Sequence, residues 1–473
     1  MEKKTKIVCT IGPASWDKEV MRQMIEAGMN CARVNGAFAD PLELDKVREL
    51  VRSISDDVSL MVDVKGPEIR LNKFENAKQI KPGDEIIIGN NDQSEIYPAN
   101  YENVYTYLKP GQRMVIGDGD VELKLERIEG DKMYTSVVYG EVLKPGKALN
   151  LPGADYSSDV LTLKDQENLK HAIKTGWDFV SPSFINSKQS AQTIKDFIVQ
   201  NGGDGKMKII AKIEDQEGID NIDEILEIVH GVMIARGGLG IELGLENVPH
   251  AQRVLTMKCN EAGKPVITAT QMLDSMIENP RPTRAEASDV ATAVLLGTDA
   301  VMLSAESSAG EYPVEAVKFL TSTVKVAEEN LCPFIIDSRA MYQTTTDALT
   351  KAAAEVCIDP DEEIDTVIVV SRSGATARLL ARHSIKQPIY LFTSSDYYKR
   401  VSLLTKNIVK AFVFEGISQH TDDYTRDNAV KIVMKRVKEE GLVSPGQKVL
   451  FIGNIPIDSQ NFFPNLFEII KVE

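Results

Sequence analysis

Roughly the first 330 residues repeat one pattern of apolar and polar positions. An amphipathic helical segment ends at a glycine, and a short apolar segment with a polar end follows within a few residues. Five such joints lie at Gly28, Gly176, Gly231, Gly263 and Gly297. Because glycine adopts the left-handed conformation at little cost just after a helix, each joint predicts a helix, a left-handed glycine and then a strand.

The apolar segments of this region predict about eight strands that are buried on both faces, as in a parallel sheet. Unlike the strands of a half-exposed sheet, they do not alternate between apolar and polar residues. They lie at residues 7–9, 31–35, 60–62, 179–181, 208–211, 232–235, 266–268 and 301–304. About eight strand–helix units in roughly 240 residues are typical of an α/β protein with a (β/α)8 TIM barrel. An open doubly wound sheet is the alternative that the same alternation allows.

Two further regions depart from this rhythm. Between residues 71 and 150, short alternating strands such as 85–88 and 121–125 are separated by turn sequences, which predicts a small β-barrel domain inserted after the third barrel strand. From residue 338, strands at 367–370, 389–392, 412–414 and 449–452 alternate with helices and predict a C-terminal α/β domain. We therefore expect three domains: 1–70 plus 151–337, 71–150, and 338–473.

Composition narrows the possible partners and the compartment. The 473 residues are 43% hydrophobic, and 70 acidic against 54 basic residues give a net charge of −16, so we expect neither nucleic acid nor a membrane as a partner. The five cysteines contain no CxxC pair, which argues against a disulfide framework or a zinc cluster. The N-terminal segment lacks the apolar stretch of a signal peptide, and no apolar run approaches membrane-spanning length. We expect a cytoplasmic protein.

Polar residues follow almost every predicted barrel strand, at the end where TIM barrels carry their active sites. They are Arg33, Asn35, Asp63, Lys65, Ser183, Lys212, Glu214, Gly237, Gly238, Thr270, Ser304 and Glu306. Each one alone also fits a structural role, such as a salt bridge, a helix N-terminal charge or a tight turn. Together, cations, a metal-binding carboxylate and a pair of glycine amides suit a small phosphorylated carboxylic acid. The chain has no Walker loop, HExxH motif or strand-following GxGxxG motif, so P-loop, zinc-protease and Rossmann chemistries lose support.

Four segments are similar to those of the pyruvate kinase family. They are TKIVCTIGPAS at 5–15, KGPEIR at 65–70, Lys212-Ile213-Glu214, and NPRPTRAE at 279–286 with Met272-Leu273 before it and ASDVA after it. The last segment is highly specific, and the resemblance extends over the whole chain. It implies an enzyme that transfers the phosphoryl group of phosphoenolpyruvate to ADP and protonates the enolate, giving pyruvate and ATP.

The resemblance also implies roles for the residues around phosphoenolpyruvate. Lys212 would neutralise the transferring phosphoryl group, Arg33 would bind the phosphate and Glu214 would hold Mg²⁺ or Mn²⁺. The amides of Gly237 and Gly238 would bind the substrate carboxylate, and Ser183 belongs to the same substrate site. Thr270 resembles the residue linked to enolate protonation, and Ser304 and Glu306 would support it in a proton network.

Further family properties concern the nucleotide and the assembly. Asn35, Arg70 and Lys147 resemble residues of the nucleotide site, and Lys147 would reach it when the inserted domain closes. Such closure would exclude water and protect phosphoenolpyruvate from hydrolysis. By analogy with the family we expect a homotetramer.

Several residues depart from the family pattern, and they cluster where ions would bind. The family's Ala-Arg-Gly-Asp segment ends here in Gly238, so the second metal carboxylate is missing, and we expect a metal site that fills only when substrate is present. Ala37 and Phe38 replace a serine and a histidine, which changes the potassium and nucleotide contacts. Asn35, Asp63 and the Val64 carbonyl remain as monovalent-cation ligands, so we expect K⁺ to bind weakly or to be unnecessary. Glu68, which accompanies K⁺ dependence in the family, is retained, and the sequence leaves the question open.

The C-terminal domain contains a loop that is similar to the family's effector phosphate loop. It comprises Ser371, Arg372, Ser373, Gly374 and Thr376, between a predicted strand and a predicted helix. Hydroxyl groups and helix N-terminal amides would bind the phosphate of a sugar phosphate or a nucleotide. An N-capped turn without a ligand is the alternative.

Two other functions remain open from the sequence. Gly238, Ala37 and Phe38 are compatible with a protein that senses phosphoenolpyruvate or a phosphorylated effector without turnover. A carbon–carbon lyase on the same barrel would use Lys212 as a Schiff-base amine. Retention of Lys212, Thr270, Arg70 and Lys147 favours the kinase, because a pure sensor has no use for a complete phosphoryl-transfer set.

Overall fold

The computed structural model describes residues 3–66, 68–72, 74, 76–89, 96–99, 104–117, 119–154, 160–336, 344–414, 426–455 and 463–473. Its strands are β1 (Lys6–Thr10), β2 (Cys31–Asn35), β3 (Ser59–Val64), β4 (Lys78–Gln79), β5 (Glu85–Gly89), β6 (Ile96–Pro98), β7 (Arg113–Ile116), β8 (Val121–Glu129), β9 (Lys132–Tyr139), β10 (Val142–Leu143), β11 (Leu149–Asn150), β12 (Phe179–Pro182), β13 (Lys208–Ile213), β14 (Gly231–Ala235), β15 (Val266–Ala269), β16 (Ala300–Leu303), β17 (Thr366–Val370), β18 (Ile389–Thr393), β19 (Ile408–Val413), β20 (Lys448–Gly453) and β21 (Leu466–Lys471).

The helices are α1 (Lys18–Ala27), α2 (Pro41–Arg52), α3 (Leu163–Thr175), α4 (Lys188–Gln200), α5 (Gln216–Asp220), α6 (Ile222–Ile228), α7 (Arg236–Leu243), α8 (Val248–Glu261), α9 (Arg284–Leu295), α10 (Ala305–Ser308), α11 (Pro313–Glu329), α12 (Thr345–Ile358), α13 (Ala375–Ala381), α14 (Asp396–Ser402) and α15 (Arg426–Glu439). Within the part of the chain that the structure describes, none of them is long and apolar enough to cross a membrane.

Eight parallel strands close into a barrel in the order β1-β2-β3-β12-β13-β14-β15-β16, and β16 pairs with β1 to complete the ring. The predicted TIM barrel is confirmed, and the open doubly wound sheet is excluded. Side chains that point inward, such as Val8, Met61 and Ile210, fill the barrel, and a larger apolar layer separates the strands from the surrounding helices. Because both faces of each strand are buried, the strands read as continuous apolar segments.

The glycine joints behave as predicted in four cases out of five. Gly28, Gly176, Gly263 and Gly297 all have positive φ angles. The prediction was wrong for Gly231, which is the first residue of β14. There the reason for glycine is space, since a Cβ atom would lie 2.7 Å from the Pro265 carbonyl oxygen.

The insertion after β3 contains a six-stranded sheet in the order β11-β7-β8-β9-β5-β6 and the two-stranded ribbon β4–β10. Alternate residues of these strands, including Ile86, Leu123 and Leu125, meet in one apolar cluster separate from the barrel core. The two chain segments that connect this domain to the barrel are paired, because Arg70 bridges Ala148.

The C-terminal region forms a five-stranded sheet in the order β19-β18-β17-β20-β21, in which only β21 is antiparallel. Helices cover it through two apolar clusters. Three of its four predicted strands lie where expected. The fourth, β19, begins at Ile408, four residues before the predicted start, and contains the polar Lys410, which hid its first half from the apolar pattern.

The C-terminal domain also completes the barrel at the end opposite the predicted site. Leu404, on the loop after α14, is fully buried among the residues inside the barrel. Nearby, the Asp178 carboxylate at the start of β12 accepts a hydrogen bond from Nε of Arg400 at 2.8 Å and from the amide of Leu60 at 2.9 Å. The barrel and the C-terminal domain therefore share apolar and ionic contacts.

Candidate active site

The rim residues predicted from the sequence do meet at the carboxyl ends of the barrel strands. At their centre, Arg33 donates from Nε to Asp63 Oδ2 at 3.1 Å, and its NH2 group lies 2.8 Å from the same oxygen. Nζ of Lys212 donates to Ser183 Oγ at 2.6 Å and lies 3.2 Å from Glu214 Oε1 and 3.8 Å from Asp63 Oδ1. Strands β2, β3, β12 and β13 thus bring two cations, two carboxylates and a hydroxyl group into one network.

Electrostatics keeps Lys212 charged although it is largely buried. Burial by itself would lower the pKa of its ammonium group, but the Asp63 and Glu214 carboxylates outweigh that effect and raise the pKa above its ordinary value. Lys212 is therefore a fixed positive charge at neutral pH. A Schiff-base mechanism needs the neutral amine, so this environment disfavours the lyase alternative.

Glu214 is the carboxylate proposed for a divalent metal, and both of its oxygens have partners. Oε1 faces Lys212, and Oε2 accepts a hydrogen bond from the amide of Phe184 at 2.9 Å. Phe184 has a φ of 54°, an uncommon conformation for a bulky residue. No residue pattern signals this contact, because it is made by a backbone group.

Gly238 lies directly beside Glu214. A Cβ atom at Gly238 would be 3.0 Å from Glu214 Cβ, so a carboxylate at this position would share the metal site. The described residues contain no group of three or more His, Cys, Asp or Glu side chains arranged to hold a metal. One carboxylate still fits Mg²⁺ if a substrate and water supply the other oxygens, since Mg²⁺ commonly binds through one or two carboxylates plus substrate phosphates.

The Arg236-Gly237-Gly238 segment, where the glycines alone also fitted a tight turn, forms the first turn of helix α7. The amide of Gly237 donates to Thr270 Oγ1 at 2.9 Å, which joins the proposed carboxylate site to the proposed proton-transfer residue. A substrate carboxylate bound at this helix N-terminus would compete with the Thr270 hydroxyl for that amide.

Thr270 and Gln271 both have positive φ angles, 68° and 51°, and such strained backbone is often found at functional sites. The Arg236 guanidinium holds them by donating to the carbonyl oxygens of Thr270 at 2.6 Å and Gln271 at 3.3 Å. Arg236 is itself fixed by both carboxylate oxygens of Asp289, at 2.8 and 2.6 Å. Sequence reasoning missed this clamp, although Asp289 lies in the specific segment that follows residues 279–286.

Ser304 and Glu306 lie beside each other at the end of β16. Glu306 Oε2 accepts a hydrogen bond from the Ser304 amide at 2.6 Å, and Oε1 accepts one from the Leu273 amide at 3.2 Å. Burial raises the pKa of the Glu306 carboxyl group, partly offset by these amides. Glu306 also links the β16 end to the loop that carries Thr270.

Each of the three groups expected to bind a monovalent cation accepts at least one hydrogen bond, which leaves each of them an oxygen lone pair. Asn35 Oδ1 accepts one from the Ala37 amide at 3.2 Å, and the Val64 carbonyl accepts one from the Ser183 amide at 3.1 Å. Asp63 binds Arg33, as described above. Glu68 pairs with Lys65 and Arg70. Weak K⁺ binding therefore stays a prediction. Phe38, which replaces the family's histidine, is 82% exposed at the rim.

Arg70 and Lys147, which the resemblance assigns to the nucleotide site, lie close in the chain segments that join the inserted domain to the barrel. The Leu71 amide donates to the Lys147 carbonyl at 2.9 Å, and Arg70 NH1 donates to the Gly146 carbonyl at 2.7 Å. The Lys147 ammonium lies 2.9 Å from Asp120 Oδ2. Movement of the inserted domain would therefore move both cations together.

The predicted effector loop lies between β17 and α13. Ser371 and Thr376 are buried, whereas Arg372 and Ser373 are exposed. Gly374 has a φ of 76°, and a Cβ there would lie 2.2 Å from Ser402 Oγ, so the loop packs on α14.

The fold is a TIM barrel whose rim brings cations, carboxylates and helix N-terminal amides together, at the end where TIM-barrel enzymes carry their active sites. Comparison with known proteins makes this specific. Residues 2–317 match the family model described as "Pyruvate kinase, barrel domain", and residues 347–470 match "Pyruvate kinase, alpha/beta domain". The chain belongs to the pyruvate kinase family.

Individual pyruvate kinases are similar over nearly the whole chain. The enzyme of Geobacillus stearothermophilus is 37% identical over 470 residues, which cover 97% of this chain and 78% of that protein. That of Borreliella burgdorferi is 36% identical over 460 residues, covering 96% and 94%. That of Clostridium perfringens is 34% identical over 470 residues, covering 96% of each.

Proposed function

We propose that this protein is a pyruvate kinase that transfers the phosphoryl group of phosphoenolpyruvate to ADP. The bond between phosphorus and the enol oxygen breaks, a bond to a β-phosphate oxygen of ADP forms, and the enolate takes up a proton at carbon to give pyruvate. The observation that carries the proposal is the network in which Lys212 and Arg33 face the same open end of the barrel as Glu214. Family membership supplies the reaction, and this network supplies the charges that phosphoryl transfer needs.

The chain's own residues would position the substrate and stabilise its charge. Arg33 and Lys212 would bind the phosphate, with Ser183 orienting the Lys212 ammonium. The N-terminus of α7, at Gly237 and Gly238, would bind the carboxylate. In this binding mode the enolate carbon would lie toward Thr270, whose hydroxyl would deliver the proton through a network that includes Ser304 and Glu306.

Glu214 would hold a divalent cation such as Mg²⁺ or Mn²⁺ together with oxygens of the substrate. When bound, the cation supplies additional neutralisation of the phosphoryl oxygens. We expect K⁺ to bind weakly, because Ala37 provides no side-chain oxygen to add to those of Asn35, Asp63 and Val64. We propose turnover that needs a divalent metal at elevated concentration and little or no K⁺.

The other domains would have supporting functions. Residues 71–150 would act as a lid that brings Arg70 and Lys147 to ADP, and residues 338–473 would mediate oligomer contacts. The loop of Ser371, Arg372, Ser373, Gly374 and Thr376 stays a prediction as a site for a sugar phosphate or nucleotide effector. A cytoplasmic homotetramer is the state we propose by analogy with the family.

The test is a coupled assay of pyruvate formation from phosphoenolpyruvate and ADP, with Mg²⁺, Mn²⁺ or Co²⁺ and with or without K⁺. Lys212→Met should remove activity by at least 1,000-fold, which is about 4 kcal/mol of transition-state stabilisation. Lys188→Met, which removes an exposed lysine paired with Glu227 on the barrel surface, is the matched control and should retain activity. Absence of pyruvate under every metal, with phosphoenolpyruvate binding still seen by calorimetry, would favour the sensor that the loss of a carboxylate at Gly238 suggests.

A further inference from the structure

The Lys212 ammonium lies next to Glu214, the one carboxylate proposed to hold a divalent metal. Nζ of Lys212 lies 3.2 Å from Glu214 Oε1, closer than the 3.8 Å that separates it from Asp63 Oδ1. Both side chains are largely buried, with 14% and 12% of their surfaces exposed, so solvent screens this pair less than it would a surface pair. The Lys212 ammonium thus already neutralises the carboxylate that a divalent metal would need.

The rest of the site offers a divalent metal few further negatively charged groups. Glu214 Oε2 is bonded to the Phe184 amide, and Gly238 has no side chain to provide a second charge. Asp63, the other carboxylate of the network, is bound by Arg33. A divalent ion that approached Glu214 without substrate would meet two positive charges and two carboxylates, each already paired with one of them.

We propose that Lys212 excludes divalent metal from Glu214 until a phosphorylated substrate draws its ammonium away, so that phosphoenolpyruvate must bind before the metal. This inference rests on the proposed function for the identity of the substrate, and it adds a regulatory role for the lysine. A phosphate bound between Arg33 and Lys212 would replace Glu214 as the partner of the Lys212 ammonium. Its own oxygens would then be available to the divalent ion. Substrate and metal binding are then strongly coupled, each raising the affinity for the other by the same factor.

The experiment measures Mn²⁺ binding directly, by the loss of the free-ion electron paramagnetic resonance signal, with no ADP present. For the parent protein we expect binding only when phosphoenolpyruvate is added. Lys212→Met should lower the Mn²⁺ dissociation constant without substrate by at least tenfold, although the same change weakens binding of phosphoenolpyruvate. Lys212→Arg, which keeps the positive charge, should stay as weak as the parent.

Two further variants serve as a control and as an independent repeat of the test. Lys65→Met removes another rim cation that pairs with Glu68 instead of Glu214, and we expect less than a threefold change in Mn²⁺ affinity. In a Gly238→Asp background, where we expect stronger metal binding, adding Lys212→Met should again raise Mn²⁺ affinity about tenfold. Circular dichroism of each variant confirms that it is folded.

Two results of the Mn²⁺ binding measurement would overturn the proposal. If Mn²⁺ binds the parent equally well with and without phosphoenolpyruvate, or if Lys212→Met leaves Mn²⁺ affinity unchanged or lower in both backgrounds, the proposal is wrong. Because the binding measurement involves no turnover, an inactive parent in the coupled assay would overturn the proposed function and leave this result standing.

Discussion

Gly238→Asp should create a tighter divalent-metal site, because residue 238 is the third residue of α7 and lies against Glu214. A Cβ atom at this position would be 3.0 Å from Glu214 Cβ, which requires a shift of a few tenths of an ångström. Without metal, a carboxylate in the first turn of a helix gains about 0.3–1 kcal/mol from the helix dipole, and repulsion from Glu214 offsets this gain. The stability of the metal-free protein should therefore change little.

With metal, the balance shifts toward binding. Two opposite unit charges 4 Å apart attract by about 4 kcal/mol at an effective dielectric constant of 20, and a divalent ion doubles that value before desolvation is subtracted. Retaining even about 1.4 kcal/mol of this attraction gives a tenfold gain in affinity. We expect the Mg²⁺ concentration for half-maximal activity and the Mn²⁺ dissociation constant with phosphoenolpyruvate present both to fall at least tenfold.

Size and charge can be separated with two controls. Gly238→Ala adds only the Cβ atom, and Gly238→Asn adds a side chain of nearly the same shape without the charge. Both should keep the weak divalent-metal affinity and the high half-maximal Mg²⁺ concentration that we expect for the parent. If Gly238→Asn improves Mg²⁺ use as much as Gly238→Asp, the effect comes from the backbone of α7, and the carboxylate argument is refuted.

Three other predictions concern stability. Burial raises the pKa of Asp215, which caps α5 through the Gly218 amide, to about 6. Ionisation of Asp215 therefore lowers the free energy of unfolding as pH rises from about 4 to 6. Measured by urea unfolding, the stability of Asp215→Asn relative to the parent should increase by about 3 kcal/mol between pH 4 and pH 7. Parallel pH profiles of stability for the two proteins would contradict this. Burial lowers the pKa of His383 to about 3, and its Nδ1 accepts the Ile336 amide at 3.1 Å. Because the unfolded state takes up a proton that the native state refuses, stability should fall as pH drops below about 6.5, and His383→Gln should flatten that slope in acid-unfolding titrations. Leu404→Ala should cost about 2–5 kcal/mol and lower the unfolding temperature of barrel and C-terminal domain alike in calorimetry, whereas a shift confined to the C-terminal domain would show that Leu404 does not support the barrel.

The architecture and most of the rim residues could be predicted from the apolar and polar pattern of the chain. Continuous apolar strands report burial on both faces, and parallel strands in a closed barrel place their polar ends at one rim. For this reason the sequence pattern alone places four charged residues at one rim, namely Arg33, Asp63, Lys212 and Glu214. The absence of a carboxylate at Gly238 is likewise a fact of sequence.

Contacts between residues far apart in the chain became visible only in the three-dimensional arrangement of the elements. The position of Lys212 between Glu214 and Ser183, the amide of Phe184 on Glu214, and the burial of Leu404 in the barrel leave no local pattern. Gly231 shows the same limit, because its neighbour Pro265 comes from the next strand–helix unit. Periodicity along the chain reports which side of an element is buried, whereas the distances that set charge pairing and metal affinity depend on how separate elements pack.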